Sequence, residues 1–195
     1  MVAAYTESPA RDRILNTARE LFYRNGYRAT GINEIIRKSG VAKATFYLHF
    51  PSKESLVLAY VESMNREEIR VMEEGLKKYP GPYEKLIGLV EFLISWSKER
   101  DYRGCAYLNI SSEIPDHANP VRRESKHHYL EVRKLVGRLM QELKQVRGAA
   151  WKQRDAEQAA DDYMLIFSGA LAMAQVYHEP EPIRHAIQAV KRLLR

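Results

Sequence analysis

The chain has 195 residues, with 31 Lys and Arg against 25 Asp and Glu, for a formal net charge of +6. At 45% hydrophobic and 29% charged residues it can bury a sizeable core, which excludes a largely disordered chain. The single cysteine, Cys105, excludes an intramolecular disulfide and argues against a cysteine-based zinc site.

The first seven residues, Met1 to Glu7, lack the basic region and apolar run of a signal peptide. The longest apolar stretch without a charge, Tyr163 to Tyr177, has 15 residues, short of the roughly 20 that a membrane helix needs. A cytoplasmic protein with no membrane segment is expected. The charge is unevenly placed. Residues 1–60 hold nine Lys and Arg against five acids, a net +4, and the other 135 residues hold +2.

The periodicity is helical almost throughout, and an all-α fold of about nine helices is expected. Ser8 and Pro9 start a first helix with the stripe Ile14, Leu15, Ala18, Leu21 and Phe22, ending at Asn25-Gly26. Two short helices follow, about Ile32–Ser39 and Lys43–His49, joined through Gly40. Ser52 caps a long helix carrying Leu56, Val57, Tyr60, Met64, Ile69, Met72 and Leu76, stopped by Tyr79-Pro80-Gly81-Pro82. The next helix carries Leu86, Leu89, Val90, Leu93 and Trp96, and a shorter element spans Cys105–Glu113. Pro120 opens a helix with Val132, Leu135, Val136, Leu139, Leu143 and Val146, and Gly148–Asp155 reads as a break. Two helices close the chain, one with Tyr163, Ile166, Phe167, Ala170, Ala174 and Tyr177, the other with Ile183, Ala186, Ile187, Val190 and Leu194.

Residues 28–50 have the layout of a helix-turn-helix. Ile35 and Ile36 lie on the first short helix, and Val41, Phe46 and Phe50 can pack behind the second, whose other face offers Lys43, Thr45, Tyr47 and His49. Small residues for close approach, with donors for bases and phosphates, suit a helix entering the major groove N-terminus first. The same pattern also fits a surface helical hairpin with incidental polar groups.

The run from Thr30 to Leu56, with Gly40-Val41-Ala42-Lys43-Ala44-Thr45-Phe46-Tyr47-Leu48-His49-Phe50-Pro51-Ser52-Lys53-Glu54-Ser55-Leu56 at its centre, strongly resembles the DNA-binding region of TetR-family transcriptional regulators. Ile14, Ala18, Leu21-Phe22, Gly26-Tyr27 and Ala29-Thr30 match that family's first helix. The resemblance implies an N-terminal three-helix helix-turn-helix domain, residues 1–52, and a C-terminal helical domain, residues 53–195, for effector binding and dimerisation. It implies Ala42, Lys43, Ala44 and Thr45 near base edges, Tyr47 and His49 on phosphates, and Lys53 on a phosphate at the start of the fourth helix. Gly31, Ala44 and Leu48 depart from the family's commonest residues, and Ala44 and Leu48 leave the operator sequence open.

The resemblance further implies that the last two helices pair with their twofold mates. Gly169, Ala170, Ala172 and Ala174 would permit close approach, and Ile183, Ile187, Val190 and Leu194 would supply an apolar face. The same residues could instead close the core of one chain. An effector pocket is expected between the helices from Pro82 to about Arg147 and the one after Asp155. Phe92, Trp96, Tyr107, Met140, Tyr163 and Phe167 are its candidate walls, and Asn109, Glu113 and His128 its candidate polar contacts. Such a pocket suits a small hydrophobic or aromatic effector. His127 and His128 point about 100° apart on a helix and do not chelate one ion, so no metal and no cofactor are expected.

Cys105 follows Asp101-Tyr102-Arg103-Gly104 at a helix start, a setting that lowers a thiol pKa. The run Arg103-Gly104-Cys105-Ala106-Tyr107-Leu108-Asn109, with Glu113, resembles a branch of the same family in which some members respond to electrophiles or oxidants. Two readings follow: a repressor released from a pseudo-palindromic operator by a small effector, or a thiol-based redox or electrophile sensor acting through Cys105. An enzyme fits poorly, because no Gly-rich phosphate loop, no i, i+4 metal pair and no nucleophile triad stand out.

Overall fold

Ser8 lies in extended backbone and Pro9 opens α1 (Pro9–Asn25), as their residue types dictate. The structure, a computed structural model, describes residues 8–195. The expectation about Met1 to Glu7 lies outside them. The further helices are α2 (Ile32–Ser39), α3 (Lys43–His49), α4 (Lys53–Leu76), α5 (Pro82–Glu99), α6 (Ala106–Glu113), α7 (Pro120–Arg147), α8 (Ala156–Tyr177) and α9 (Glu181–Leu193). The described residues thus form the expected all-α fold. None of these helices is long and apolar enough to cross a membrane.

By packing, the chain falls into two compact units. The first joins the described residues up to Asn65 with Ala106–Ser125, and the second joins Arg66–Cys105 with Lys126–Arg195. Each is therefore discontinuous in sequence, where residues 1–52 and 53–195 would be divided by a single cut.

In the first unit, Ile14, Ala18, Leu21 and Phe22 of α1 are buried at helical spacing, and α2 buries Ile35 beside them. Thr30 is fully buried, and its hydroxyl donates to the carbonyls of Gly26 at 2.8 Å and Leu21 at 3.3 Å. Gly40 ends α2 in left-handed backbone, φ 67° and ψ 25°, which lets α3 turn away sharply. Phe46 of α3 and Phe50 just after that helix are buried, and Tyr60 of α4 packs its ring 5.7 Å from that of Phe22. Ser52 and Ser55 cap the start of α4 reciprocally: Ser52 Oγ accepts from the Ser55 N–H at 3.0 Å, and Ser55 Oγ from the Ser52 N–H at 3.1 Å. From α6, Ala106, Tyr107 and Ile110 complete this core.

In the second unit, α9 packs on α5 and α8. Ile183, Ile187, Val190 and Leu194, one of whose two expected roles was a face for a second copy, are buried within the chain itself. They close its own core. Ala170 and Ala174 of α8 also point inward, whereas Leu165, Met173, Val176 and Tyr177 are exposed and Gly169 faces open space. Tyr163 is wholly buried and its hydroxyl donates to the Leu86 carbonyl at 2.7 Å. Gly88 is required by close approach, since a Cβ there would stand 2.2 Å from the Tyr79 ring.

Two elements differ from the sequence expectation. The break after α7 contains a 3-10 turn, Gly148–Trp151, whose Trp151 is fully buried. Val146, expected on the apolar stripe of α7, is 73% exposed. One large aromatic anchors the segment better than a periodic pattern that breaks off near the helix end.

Candidate nucleic-acid interface

The outward face of α3 is built from the inside. Phe46 and Phe50, one turn apart, are held in the core with ring centroids 6.3 Å apart, and the Arg11 guanidinium lies 5.2 Å over the Phe50 ring. With that face anchored, Ala42, Lys43, Ala44, Tyr47 and Leu48 are exposed, while Thr45 and His49 are half-buried. The Tyr47 ring meets Phe46 edge-on at 5.3 Å, which restrains it without covering it. His49 Nε2 lies 3.4 Å from Ser8 Oγ. The structure thus gathers the expected α3 residues on one helix. Leu48, one of the departures from the family's commonest residues, lies one turn from Ala44 and is 79% exposed.

Lys53, expected to meet a phosphate, already has protein neighbours. Its ammonium lies 4.4 Å over the Tyr27 ring and donates to the Arg28 carbonyl at 3.4 Å. Burial draws its pKa below the ordinary lysine value, against the opposing pull of Glu113 and Glu54. The Tyr27 hydroxyl donates to Glu54 Oε1 at 3.3 Å. Burial, then the Glu54 charge, pushes the Tyr27 pKa up to about 12, and backbone N–H bonding holds that of Glu54 low.

The residues expected around an effector divide between the two units. Tyr107, Asn109 and Glu113 belong to the first, and Phe92, Trp96, His128, Met140, Tyr163 and Phe167 to the second. Glu113 is not a free polar contact: Oε1 accepts from the Tyr27 N–H at 3.0 Å and Oε2 from the Arg28 N–H at 2.6 Å. Sequence spacing gave no sign of this, since donor and acceptor lie some 85 residues apart. Beside Glu113 is a water-sized cavity of about 10 Å³, lined also by Phe22, Tyr27, Tyr60 and Asn109.

In the second unit, Met140 and Tyr163 are wholly buried, and Phe167 stacks on Tyr163 with centroids 6.2 Å apart. Phe92 is 38% exposed, on the outward side of α5, and the Arg100 guanidinium covers the half-buried Trp96 at 4.7 Å. Burial lowers the His128 pKa to about 4, with His127 adding to the effect, so the ring is neutral near neutral pH. This desolvation outweighs the Glu68 carboxylate 3.7 Å away. Cys105 is buried, and the Tyr129 hydroxyl donates to its sulfur at 3.4 Å. Burial, then the neighbouring Cys105, raises the Tyr129 pKa far above its usual value.

Comparison with known proteins agrees with this geometry. Residues 14–60 match the family model of bacterial regulatory proteins of the tetR family, and residues 82–190 match the tetracyclin repressor-like C-terminal domain. The HTH-type transcriptional regulator LmrA of Bacillus subtilis is 24% identical over 188 residues, covering 95% of this chain and 97% of LmrA. The HTH-type transcriptional repressor NemR of Escherichia coli is 23% identical over 192 residues, covering 97% and 96% of the two chains. The TetR-family regulator SCO4454 of Streptomyces coelicolor superposes with a TM-score of 0.84 at 28% identity, over 96% of this chain and 95% of that one. The chain belongs to the TetR family and is a DNA-binding transcriptional regulator rather than an enzyme.

Proposed function

We propose that this chain is a cytoplasmic, homodimeric repressor that leaves its operator when a small hydrophobic effector binds. Residues 1–52 carry operator recognition, and residues 53–195 carry effector response and dimerisation. The observation that carries the reading is the outward face of α3, anchored by Phe46 and Phe50 and presenting Ala42, Lys43, Ala44, Thr45 and Tyr47. Lys43 and Thr45 offer donors for base edges, the two alanines allow close approach, and Tyr47, His49 and Lys53 suit phosphates.

The apolar stripe Leu165, Met173, Val176 and Tyr177 on α8 supports pairing of two copies, since a single chain leaves it in solvent. Paired recognition helices read half-sites about one helical turn, roughly 34–36 Å, apart. For the effector, the inward aromatics Tyr163 and Phe167 and the neutral His128 favour an uncharged or aromatic molecule over a strong anion. An effector of this kind acts by binding the conformer that does not fit DNA more tightly, which shifts the population.

The deciding experiment selects duplexes from a randomised pool with the full chain, then screens small molecules for release of the selected duplex. A pseudo-palindrome bound by a dimer, with saturable release by hydrophobic compounds, is the expected result. Selection of no preferred sequence would overturn the reading.

The Tyr129 hydroxyl on Cys105 favours a second reading, a thiol sensor, because a donated hydrogen bond stabilises a thiolate. Burial of the sulfur opposes it. Under this reading Cys105→Ser abolishes release of the selected duplex by electrophiles and oxidants. Under the effector reading, release is unaltered.

A further inference from the structure

We infer that Glu113 is a positioning residue for operator recognition, a clamp by which α6 holds the turn between α1 and α2 and so the angle at which α3 is offered to DNA. Its two oxygens each take one backbone N–H of that turn, from Tyr27 and from Arg28. Charge-assisted bonds of this kind are about twice as strong as neutral ones. The backbone is shaped to admit the carboxylate: residue 26 is glycine at φ 92°, and a Cβ there would crowd Glu113 Oε1 at 2.9 Å.

The turn is gripped from its other side as well. Lys53 of α4 donates to the Arg28 carbonyl and lies over the Tyr27 ring, whose hydroxyl reaches Glu54. The Glu113 carboxylate of α6, and the Lys53 donor and Glu54 acceptor of α4, therefore close on the same two residues. A short, half-exposed turn with its N–H groups in water would sample several arrangements. Held in one, it preorganises α3, and preorganisation is gained as affinity for the matching sequence.

The clamp also carries a charge with an opposite consequence. Glu113 puts a negative charge beside Arg28 and Lys53, so it weakens the general attraction of this surface for phosphate. Its removal should lower affinity for the matching sequence and raise affinity for any other. The ratio of the two is the quantity that reports the clamp.

The inference rests on DNA binding by this chain, and a wild-type protein that selects no duplex would defeat that premise rather than the clamp. The probes are the duplex selected by the wild-type chain and a scrambled duplex of equal length. Glu113→Gln keeps the shape but sets an amide NH₂ against a backbone N–H. It should cut the selected-to-scrambled affinity ratio by about tenfold. Amide hydrogen exchange at Tyr27 and Arg28 should accelerate while the thermal midpoint moves little. Glu113→Asp keeps the charge but draws the oxygens back, so it should lower the ratio without strengthening binding to the scrambled duplex. A ratio unchanged or raised in both variants, whatever happens to the exchange rates, would overturn the inference. So would unchanged exchange at Tyr27 and Arg28 in Glu113→Gln.

Discussion

Phe46 and Leu48, two residues apart on α3, lie at opposite extremes of burial: Phe46 is 0% exposed and Leu48 is 79% exposed. Phe46→Ala should therefore destabilise the chain by about 3–5 kcal/mol, through lost burial and the cavity left behind. Leu48→Ala should change stability by less than about 0.5 kcal/mol. Paired denaturant melts check this, and a similar cost for both would mean that α3 does not present the face described.

Lys53 binds the turn of its own chain and is also the cation at the start of α4. Lys53→Gln should weaken the selected duplex more than the scrambled one, because it also loosens the turn, and on both should reduce the slope of log K against log salt by about 1.8, the share of the two phosphate contacts that a dimer loses. Lys43→Ala should instead change which sequences are preferred. Salt titrations of binding to both duplexes separate the two outcomes. An unchanged slope for Lys53→Gln would show that its ammonium serves only the protein.

His128 gives the fold an acid sensitivity whose sign can be worked out. Its folded pKa is lowered from 6.5 to about 4, chiefly by burial. Between these values the unfolded chain binds the proton and the folded chain does not, so stability falls as pH drops through the window. From about pH 7 to about pH 5 the loss from this residue should be about 2 kcal/mol. Glu68, His127 and Tyr129 are the titratable groups facing or flanking the ring. Thermal melts of wild type and His128→Gln across this range should converge as pH falls. Parallel curves would remove His128 as the source.

Leu165 and Val176, each 73% exposed on α8, can be changed with little effect on a single chain. Leu165→Glu or Val176→Glu should keep the helical circular-dichroism signal and yet yield monomers in sedimentation velocity, with a matching loss of affinity for the selected duplex. A stable dimer needs about 800 Å² from each partner, and a charge at the centre of that area is left unpaired. Dimers persisting in both variants would place the interface elsewhere.

Much of the fold was legible because helices write their buried faces into local sequence. Ile14, Ala18, Leu21 and Phe22 recur at helical spacing and are buried, Gly40 marks the turn before α3, and Ser52 caps α4. The α3 face was readable for the same reason: seven residues of one helix need no partner from afar to decide which side Phe46 takes. The effector set was less legible. Spacing shows that Phe92, Trp96 and Tyr163 are large and helical, but not that Phe92 turns outward or that the Tyr163 hydroxyl is taken by Leu86.

The amino-acid order by itself determined the all-α class, the helix-turn-helix and its place in the first 60 residues, where +4 of the +6 net charge lies. These follow from periodicities and caps that operate within a few residues of chain. Only the tertiary structure decided that α9 is spent on the core of its own chain, that Trp151 anchors an apparent break, and that Glu113 grips Tyr27 and Arg28. Each of these depends on which surfaces and unpaired donors meet across tens of residues, and that choice is made by the packing of whole helices.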